Sequence, residues 1–260
     1  MFIEQYHKAC CATGGALCVG LDPHLDRIPT EYGSTPDGVR EFLDSVIGQT
    51  LEHASAYKPN IAFFEALGPQ GLEVLARTIE RIQRAGRPVI LDAKRGDIAS
   101  TAAAYAEAAF GRLGADAITV VPYMGADAII PFLERGGFTF VLALPSNASA
   151  AAIVDHGSPP LYQRTAELAL ELDATYPGQL GLVVGATRPH EASVIHRIAP
   201  DLPWLVPGIG AQGASSEAFF AAVGGHETMV VNASRAVLFA PDPGQAAADL
   251  KRTIQELTHA

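Results

Sequence analysis

The sequence predicts an α/β fold in the form of a single (β/α)₈ barrel, a TIM barrel. Short apolar runs typical of buried strands alternate with longer stretches rich in Ala, Leu, Glu and Arg that have helical spacing. Eight such strand candidates fit into 260 residues, which is the usual size of this barrel. Strands separated by helices must be parallel, because each connection has to cross over the sheet. A doubly wound open sheet is the alternative.

The strand candidates and the helical patterns follow one another along the whole chain. The strand candidates are residues 17–21, 54–58, 89–92, 117–121, 138–144, 182–186, 204–206 and 229–231. The clearest helical patterns cover residues 39–52, 72–85, 101–113 and 162–172. The Gly-Ser-Pro-Pro segment at 157–160 predicts a loop leading into a helix near Leu161, so residues 1–260 are expected to form one domain.

The composition is that of a globular protein, with 48% hydrophobic and 18% charged residues. A formal net charge of -10 argues against nonspecific binding to nucleic acid or to an anionic membrane. No uninterrupted apolar stretch approaches the roughly 18 residues that a membrane span needs. We therefore expect a cytoplasmic protein whose partner is a small molecule.

The cysteine and histidine residues lack the spacing of a disulfide framework or a metal site. Cys10, Cys11 and Cys18 are odd in number and form no CxxC pair. The eight histidines are scattered and contain no HExxH motif. We therefore expect the cysteine thiols to be reduced, and we expect no metal site.

The run Pro-Val-Ile-Leu-Asp-Ala-Lys-Arg-Gly-Asp-Ile at 88–98 carries charged residues directly after a strand candidate. Asp92 and Lys94 are two residues apart, so both should point towards the barrel axis if the strand persists that far. Gly96 is expected to allow a sharp turn. Asp97 is placed to accept a backbone N–H as the cap of the next helix.

Charged residues also follow the first two strand candidates, with Asp22 after the first and Lys58 at the end of the second. Barrels of this kind place their active sites where the strands end. Asp92 and Lys94 alone are as typical of a structural ion pair as of a catalytic one. Together with Asp22 and Lys58 they form a nearly neutral cluster of two carboxylates and two ammonium groups, which favours a catalytic site.

The segment Gly208-Ile209-Gly210-Ala211-Gln212-Gly213 matches the GxGxxG pattern of dinucleotide-binding turns. It follows the seventh strand candidate, however, and no acidic residue ends the next strand as that fold requires. Glycine N–H groups and Arg235 are suited to a single phosphate, which barrels often bind after strands seven and eight. The alternative is a tight turn with no ligand.

The motifs occur in the order Gly20-Leu21-Asp22-Pro23, Lys58-Pro59-Asn60, Asp92 to Ile98, Pro207 to Gly213 and Ser234-Arg235. This set resembles the orotidine 5'-phosphate decarboxylases, in particular their longer bacterial subgroup. The resemblance implies a homodimeric barrel of the ribulose-phosphate-binding type, which acts without a metal or an organic cofactor. The implied reaction converts orotidine 5'-monophosphate to UMP and carbon dioxide in the last step of de novo pyrimidine synthesis.

The resemblance also implies a role for each site residue. Lys94 would stabilise the developing carbanion and donate the proton, and Asp92 would lie beside the substrate carboxylate. Asp97, Ile98 and Thr101 would reach into the neighbouring subunit's site. The residues implied in substrate binding are Asp22 and Lys58 at the ribose, Ser146 at the pyrimidine edge, and Gly210, Gln212 and Arg235 at the phosphate.

One segment departs from the family pattern, since Ala148-Ser149 stands where Pro-Gly is usual and Leu144-Pro145 where Arg-Thr is common. The loop that reads the base is therefore expected to differ. Two alternatives stay open: a metal-dependent phosphosugar decarboxylase or aldolase of the same suprafamily, and a non-catalytic nucleotide-binding barrel. Lys58 disfavours the first, which would offer additional acidic residues for magnesium.

Overall fold

A computed structural model describes residues 1–209, 213–224 and 226–259. Its sheet has eight parallel strands, which confirms the predicted fold class. The strands are β1 (Leu17–Leu21), β2 (Ala56–Pro59), β3 (Ile90–Arg95), β4 (Ala117–Val120), β5 (Phe138–Leu144), β6 (Leu180–Val184), β7 (Trp204–Pro207) and β8 (Met229–Ala233).

The strands are paired in the order β2-β1-β8-β7-β6-β5-β4-β3. Two isolated parallel bridges, Tyr57 to Val89 and Asn60 to Asp92, join β2 to β3. The sheet therefore closes into a barrel, and the open-sheet alternative is wrong. The seam between β2 and β3 has these isolated bridges in place of a continuous ladder, and it lies beside the charged residues of β3.

Helices cover the outside of the barrel and connect its strands. They are α1 (Phe2–Thr13), α2 (Pro36–Thr50), α3 (Ile61–Glu65), α4 (Pro69–Arg84), α5 (Ala99–Ala106), α6 (Ile130–Glu134), α7 (Ala151–Val154), α8 (Leu161–Asp173), α9 (Pro189–Ile198), α10 (Gly213–Val223), α11 (Arg235–Leu238) and α12 (Pro243–His259). Shorter elements are a π-helical segment at Glu107–Arg112 and 3₁₀ turns at Ala126–Ala128 and Ala148–Ala150.

The predicted elements are present, with shifted boundaries. Helices α2 and α4 begin three residues before the predicted starts, each with proline at its first position, where the missing N–H carries no cost. The Thr35 hydroxyl caps α2 by accepting the N–H of Gly38 at 3.2 Å. Strand β6 also starts two residues earlier than predicted, because Leu180 already pairs with Thr139.

Helix α1 closes the amino-terminal end of the barrel. The Phe2 ring packs against those of Phe138 and Phe140, with centroids 5.1 and 5.6 Å apart, and all three are buried. The Tyr6 hydroxyl donates to the carbonyl of Met229, the first residue of β8, at 2.7 Å. Burial of Phe2 stabilises the fold by about 2–3 kcal/mol. These aromatic side chains therefore fill the barrel interior at its amino-terminal end.

None of the helices within the described ranges combines the length and apolar character of a membrane span.

Candidate active site

A cavity of about 820 Å³ opens at the carboxyl-terminal ends of the strands. Its apolar floor includes Leu142, Val183 and Leu205, which point inwards from β5, β6 and β7. The predicted site residues that line it are Asp22, Lys58, Asp92, Lys94, Ser146 and Arg235. The structure therefore brings together residues as far apart in the sequence as Asp22 and Arg235.

Asp92 lies at the centre of a charged cluster in this cavity. Its Oδ2 accepts a hydrogen bond from Lys58 Nζ at 2.7 Å, and its Oδ1 accepts one from Lys94 Nζ at 2.7 Å. The side chains of Asp92 and Lys58 are 11% and 5% exposed, whereas that of Lys94 is 49% exposed. Lys94 is thus the more accessible of the two ammonium groups in the cavity.

Asp92 and Lys58 keep their charges at neutral pH. Burial by itself would raise the pKa of Asp92, but the nearby ammonium groups of Lys58 and Lys94 outweigh it and hold the pKa well below its usual range. Burial likewise favours the neutral form of Lys58, yet the carboxylates of Asp92 and then Asp22 raise its pKa above the ordinary value. A carboxylate and two ammonium groups therefore face the ligand space.

Strand β3 is irregular where it carries these residues. Its pairing with β4 shifts register between Leu91 and Arg95. Lys94 has a φ of 45°, in the left-handed region that residues other than glycine rarely adopt. Backbone strain of this kind is concentrated at functional sites. Lys94 nevertheless keeps its Nζ in contact with Oδ1 of Asp92.

Gly96 was expected to allow a sharp turn, but it does not have the left-handed backbone conformation that glycine permits. The left-handed residues of this segment are Lys94 and Ala99. Gly96 is instead required by close packing, because a Cβ there would lie 2.2 Å from Cγ2 of Val121. Glycine therefore lets the loop after β3 lie directly on the loop after β4.

Asp97 does not cap the following helix as expected. Its Oδ1 accepts the N–H of Ile98 at 2.8 Å, but Ile98 itself is the residue that precedes α5 as its N-cap. The carboxylate consequently keeps oxygen lone pairs available to another group.

Two polar atoms buried at the cavity have no hydrogen-bond partner within the described residues: Oδ1 of Asp22 and Oδ1 of Asn232. Buried polar atoms without partners are rare, and at a cavity they indicate a polar ligand. Asn232, at the end of β8, is not among the residues that the sequence predicts for the site. The feature of the sequence that points to Asn232 is its position as the one polar residue within the apolar run 229–233.

Gly20 on β1 lets the turn after β8 approach closely. A Cβ at this position would lie 1.8 Å from the Ser234 hydroxyl oxygen. The turn places Arg235 at the cavity rim, where Arg27 also lines it with its guanidinium 4.3 Å from the Phe239 ring centroid. Two guanidinium groups at one end of the cavity favour an anionic ligand group. The predicted phosphate residues Gly210 and Gln212 lie outside the described residues.

The segment after β5 forms another wall. Ser146 is fixed through its backbone carbonyl, which accepts the hydroxyl of Thr187 at 3.0 Å. Asn147 also lines the cavity, and its Nδ2 donates to the Ser149 hydroxyl at 2.9 Å. Ser149 is one of the residues that depart from the family pattern, so this departure affects the position of Asn147 in the cavity wall.

A family model described as orotidine 5'-phosphate decarboxylase / HUMPS family matches residues 15–250. The chain belongs to this family. The orotidine 5'-phosphate decarboxylase of Herpetosiphon aurantiacus is 44% identical to it, over 98% of this chain and 96% of that protein. That of Roseiflexus castenholzii is 42% identical, over 100% of this chain and 96% of that protein.

A solved structure supports the same assignment. The OMP decarboxylase of Leishmania donovani has 39% sequence identity to this chain and a TM-score of 0.88, and the alignment covers 100% of this chain and 99% of that one. The resemblance noted from the motifs is thus confirmed at the level of the family and of the whole barrel.

Three residues that the orotidine 5'-phosphate decarboxylase resemblance assigns to a shared site do not line the cavity of their own chain. Asp97, Ile98 and Thr101 lie in the loop after β3 and the first turn of α5. Ile98 and Thr101 are exposed, as are Tyr123 and Met124 in the neighbouring loop after β4. These residues therefore form an exposed surface beside the cavity rather than part of its wall.

Within the described residues, no group of three or more His, Cys, Asp or Glu side chains is arranged to hold a metal ion.

Proposed function

We propose that this protein decarboxylates orotidine 5'-monophosphate to UMP and carbon dioxide, the last step of de novo pyrimidine synthesis. The observation that carries the proposal is the Lys58–Asp92–Lys94 cluster, in which only Lys94 is substantially exposed to the cavity. The printed names of the curated relatives support the same substrate. The whole chain, residues 1–260, is proposed to act as one catalytic domain.

The reaction needs a fixed positive charge at C6 of the pyrimidine. When the bond from C6 to the carboxylate breaks, carbon dioxide leaves and the electron pair stays on C6, where no adjacent carbonyl absorbs it. Lys94 is proposed to stabilise that charge and then to donate an N–H proton to C6. The neutral amine left on Lys94 regains its proton from solvent after product release.

Asp92 has two proposed tasks. Its Oδ1 holds the Lys94 ammonium at 2.7 Å, and its charge lies beside the carboxylate that the substrate loses. Two unit charges 4 Å apart repel by about 4 kcal/mol at an effective dielectric constant of 20. This repulsion is well below a decarboxylation barrier, so stabilisation of the transition state by Lys94 supplies the larger share.

The substrate is proposed to lie with its ribose at β1 and β2. Asp22 offers an unpartnered carboxylate oxygen, and Lys58 offers the N–H groups not used by Asp92. Ser146 is proposed to contact the pyrimidine edge. Arg235, together with Gly210 and Gln212, is proposed to hold the phosphate.

A homodimer is part of the proposal. Asp97, Ile98 and Thr101 are proposed to complete the neighbouring subunit's site. The exposure of Ile98 and Thr101 supports this, as does the fact that none of the three residues lines the cavity of its own chain. Exposed apolar residues such as Ile98 and Tyr123, at 46% and 84%, are typical of a surface that another chain covers. We also place the enzyme in the cytoplasm, in keeping with the free thiols of Cys10 and Cys18.

A metal-dependent phosphosugar decarboxylase or aldolase of the same suprafamily is the second candidate, and the residues around Asp92 disfavour it. Two ammonium groups and the hydroxyl of Thr119 bind the two carboxylate oxygens, and ammonium groups repel a divalent cation. A non-catalytic nucleotide-binding barrel is disfavoured because a nucleotide site without chemistry has no need for this cluster.

Ultraviolet absorbance of purified protein mixed with orotidine 5'-monophosphate tests the proposal, because loss of the carboxylate changes the absorption of the pyrimidine. We expect full conversion to UMP, at the same rate with and without EDTA. Loss of turnover in EDTA would favour the metal-dependent candidate. Binding of UMP without any turnover of orotidine 5'-monophosphate would favour the non-catalytic barrel.

A further inference from the structure

The hydroxyl of Thr119 on β4 contacts three consecutive residues of the catalytic strand. It donates to Oδ1 of Asp92 at 2.8 Å and accepts the N–H groups of Ala93 at 3.1 Å and Lys94 at 3.0 Å. A hydroxyl has one proton and two lone pairs, and an ionised carboxylate only accepts. The buried Thr119 hydroxyl therefore forms all of its possible hydrogen bonds with residues 92–94.

These N–H groups need a side-chain partner because the strand is irregular at this point. The β3–β4 ladder shifts register between Leu91 and Arg95, so the residues between them leave the regular backbone pairing. Lys94 also has its left-handed φ of 45° here. The Thr119 hydroxyl replaces the missing ladder partner and compensates for the strained backbone.

We propose that Thr119 is a positioning residue for the decarboxylation, holding the backbone of Lys94 and the carboxylate of Asp92 in the arrangement that places the Lys94 ammonium at the reacting carbon. The inference rests on the proposed function. Lys94 is fixed at both ends, with its Nζ on Asp92 and its backbone N on Thr119. Without the hydroxyl, Lys94 keeps its ion pair but its backbone relaxes towards an ordinary strand conformation, which moves the side chain.

Three substitutions separate positioning from simple structural support. Thr119→Val keeps the shape of the side chain and removes the hydroxyl, whereas Thr119→Ser keeps the hydroxyl and removes a methyl group. Thr139→Val is the matched control on β5, because Thr139 is fully buried and its hydroxyl has no partner within the described residues. All variants are assayed at a temperature where circular dichroism shows them folded.

We expect Thr119→Val to lower kcat by about 10- to 100-fold, since small displacements of a catalytic group have effects of this size. KM and the affinity for UMP should change by less than about threefold, because the interaction lost acts in the transition state. Thr119→Ser should restore kcat to within about threefold of the wild type, and Thr139→Val should leave it unchanged. If Thr119→Val does not fold, Thr119→Ala compared with Thr119→Ser gives the same contrast.

A kcat of the Thr119→Val protein within about twofold of the wild type would overturn the inference, and so would an equal loss of kcat and UMP affinity. Amide hydrogen exchange of peptides covering residues 90–98 tests the same arrangement without any activity. Exchange should be faster in Thr119→Val than in the wild type, Thr119→Ser or Thr139→Val. Unchanged exchange would contradict the role of Thr119 even if the protein acted on another substrate.

Discussion

Lys58 and Asp92 form a buried ion pair across the seam that closes the barrel. Lys58 Nζ on β2 lies 2.7 Å from Asp92 Oδ2 on β3, and these strands are otherwise joined by two isolated bridges. The pair therefore contributes to closure of the barrel as well as to the charge of the site.

Replacing Lys58 with methionine should destabilise the protein. The substitution removes one partner of a buried pair and leaves the Asp92 carboxylate with fewer hydrogen bonds, so we expect the free energy of unfolding to fall by about 2 kcal/mol or more. Urea denaturation of the ligand-free protein measures this free energy of unfolding. Arg84→Ala is the control, because its partner Glu80 is also exposed and such pairs contribute about 0.2–1 kcal/mol. Equal effects of the two substitutions would show that the Lys58–Asp92 pair adds nothing to stability.

Replacing Gly20 with alanine should weaken phosphate binding. A Cβ would displace the Ser234 side chain, which lies 1.8 Å from that position, and with it the turn that carries Arg235. We expect the affinity for UMP, measured by calorimetry, to fall by about tenfold or more while that for uridine is unchanged. Gly48→Ala on α2 is the control, since a Cβ there has nothing within 4 Å. A parallel loss for uridine would mean that Gly20 supports the whole cavity and not the phosphate end.

His226 should make the fold sensitive to mild acid. Burial, followed by the neighbouring His196, lowers the pKa of His226 to about 4, and the two rings are in contact through Nδ1 atoms 3.0 Å apart. The folded-state pKa lies below the unfolded value of about 6.5, so the unfolded chain binds more protons between these limits. The contribution of His226 to stability is present above pH 6.5 and is lost as the pH falls towards 4.

The measurement for His226 is the free energy of unfolding between pH 7 and pH 4. We expect the wild type to lose on the order of 1–3 kcal/mol more than His226→Gln over this range. His156→Gln, at an exposed position, is the control and should follow the wild type. Parallel curves for the wild type and His226→Gln would contradict the prediction.

Two inactive variants should complement each other if the sites are shared. In a dimer of one Lys94→Ala chain and one Asp97→Ala chain, one site has both substitutions and the other has neither. Random mixing of refolded chains should therefore restore about a quarter of the wild-type activity. Analytical ultracentrifugation of the mixed chains is the control that tests whether dimers form. Dimers without any restored activity would show that Asp97 acts within its own chain.

The barrel and most of the charged cluster could be predicted from the sequence because they depend on local patterns. Apolar runs separated by helical spacing indicate parallel strands, and the two-residue interval between Asp92 and Lys94 places them on the same side of β3. The closure of β2 onto β3 then brings Lys58 to Asp92, as the family motif implies.

The irregular backbone of β3 could not be predicted from such local patterns. It depends on Thr119, which is 25 residues from Lys94 and replaces a backbone partner that a regular strand would supply. Sequence periodicity predicts which face a residue occupies, but it does not reveal a left-handed residue within a strand. The same holds for Gly96, whose close contact with Val121 exists only after β3 and β4 have paired.

The role of Lys94 is the central claim, and kinetics of Lys94→Ala with orotidine 5'-monophosphate, together with calorimetric binding of UMP, test it most directly. Removing both the stabilising charge and the proton donor should lower kcat by at least about 1000-fold, while UMP still binds with an affinity within about tenfold of the wild type. A Lys94→Ala protein that is folded, binds UMP and converts substrate at a rate close to the wild type would contradict the account.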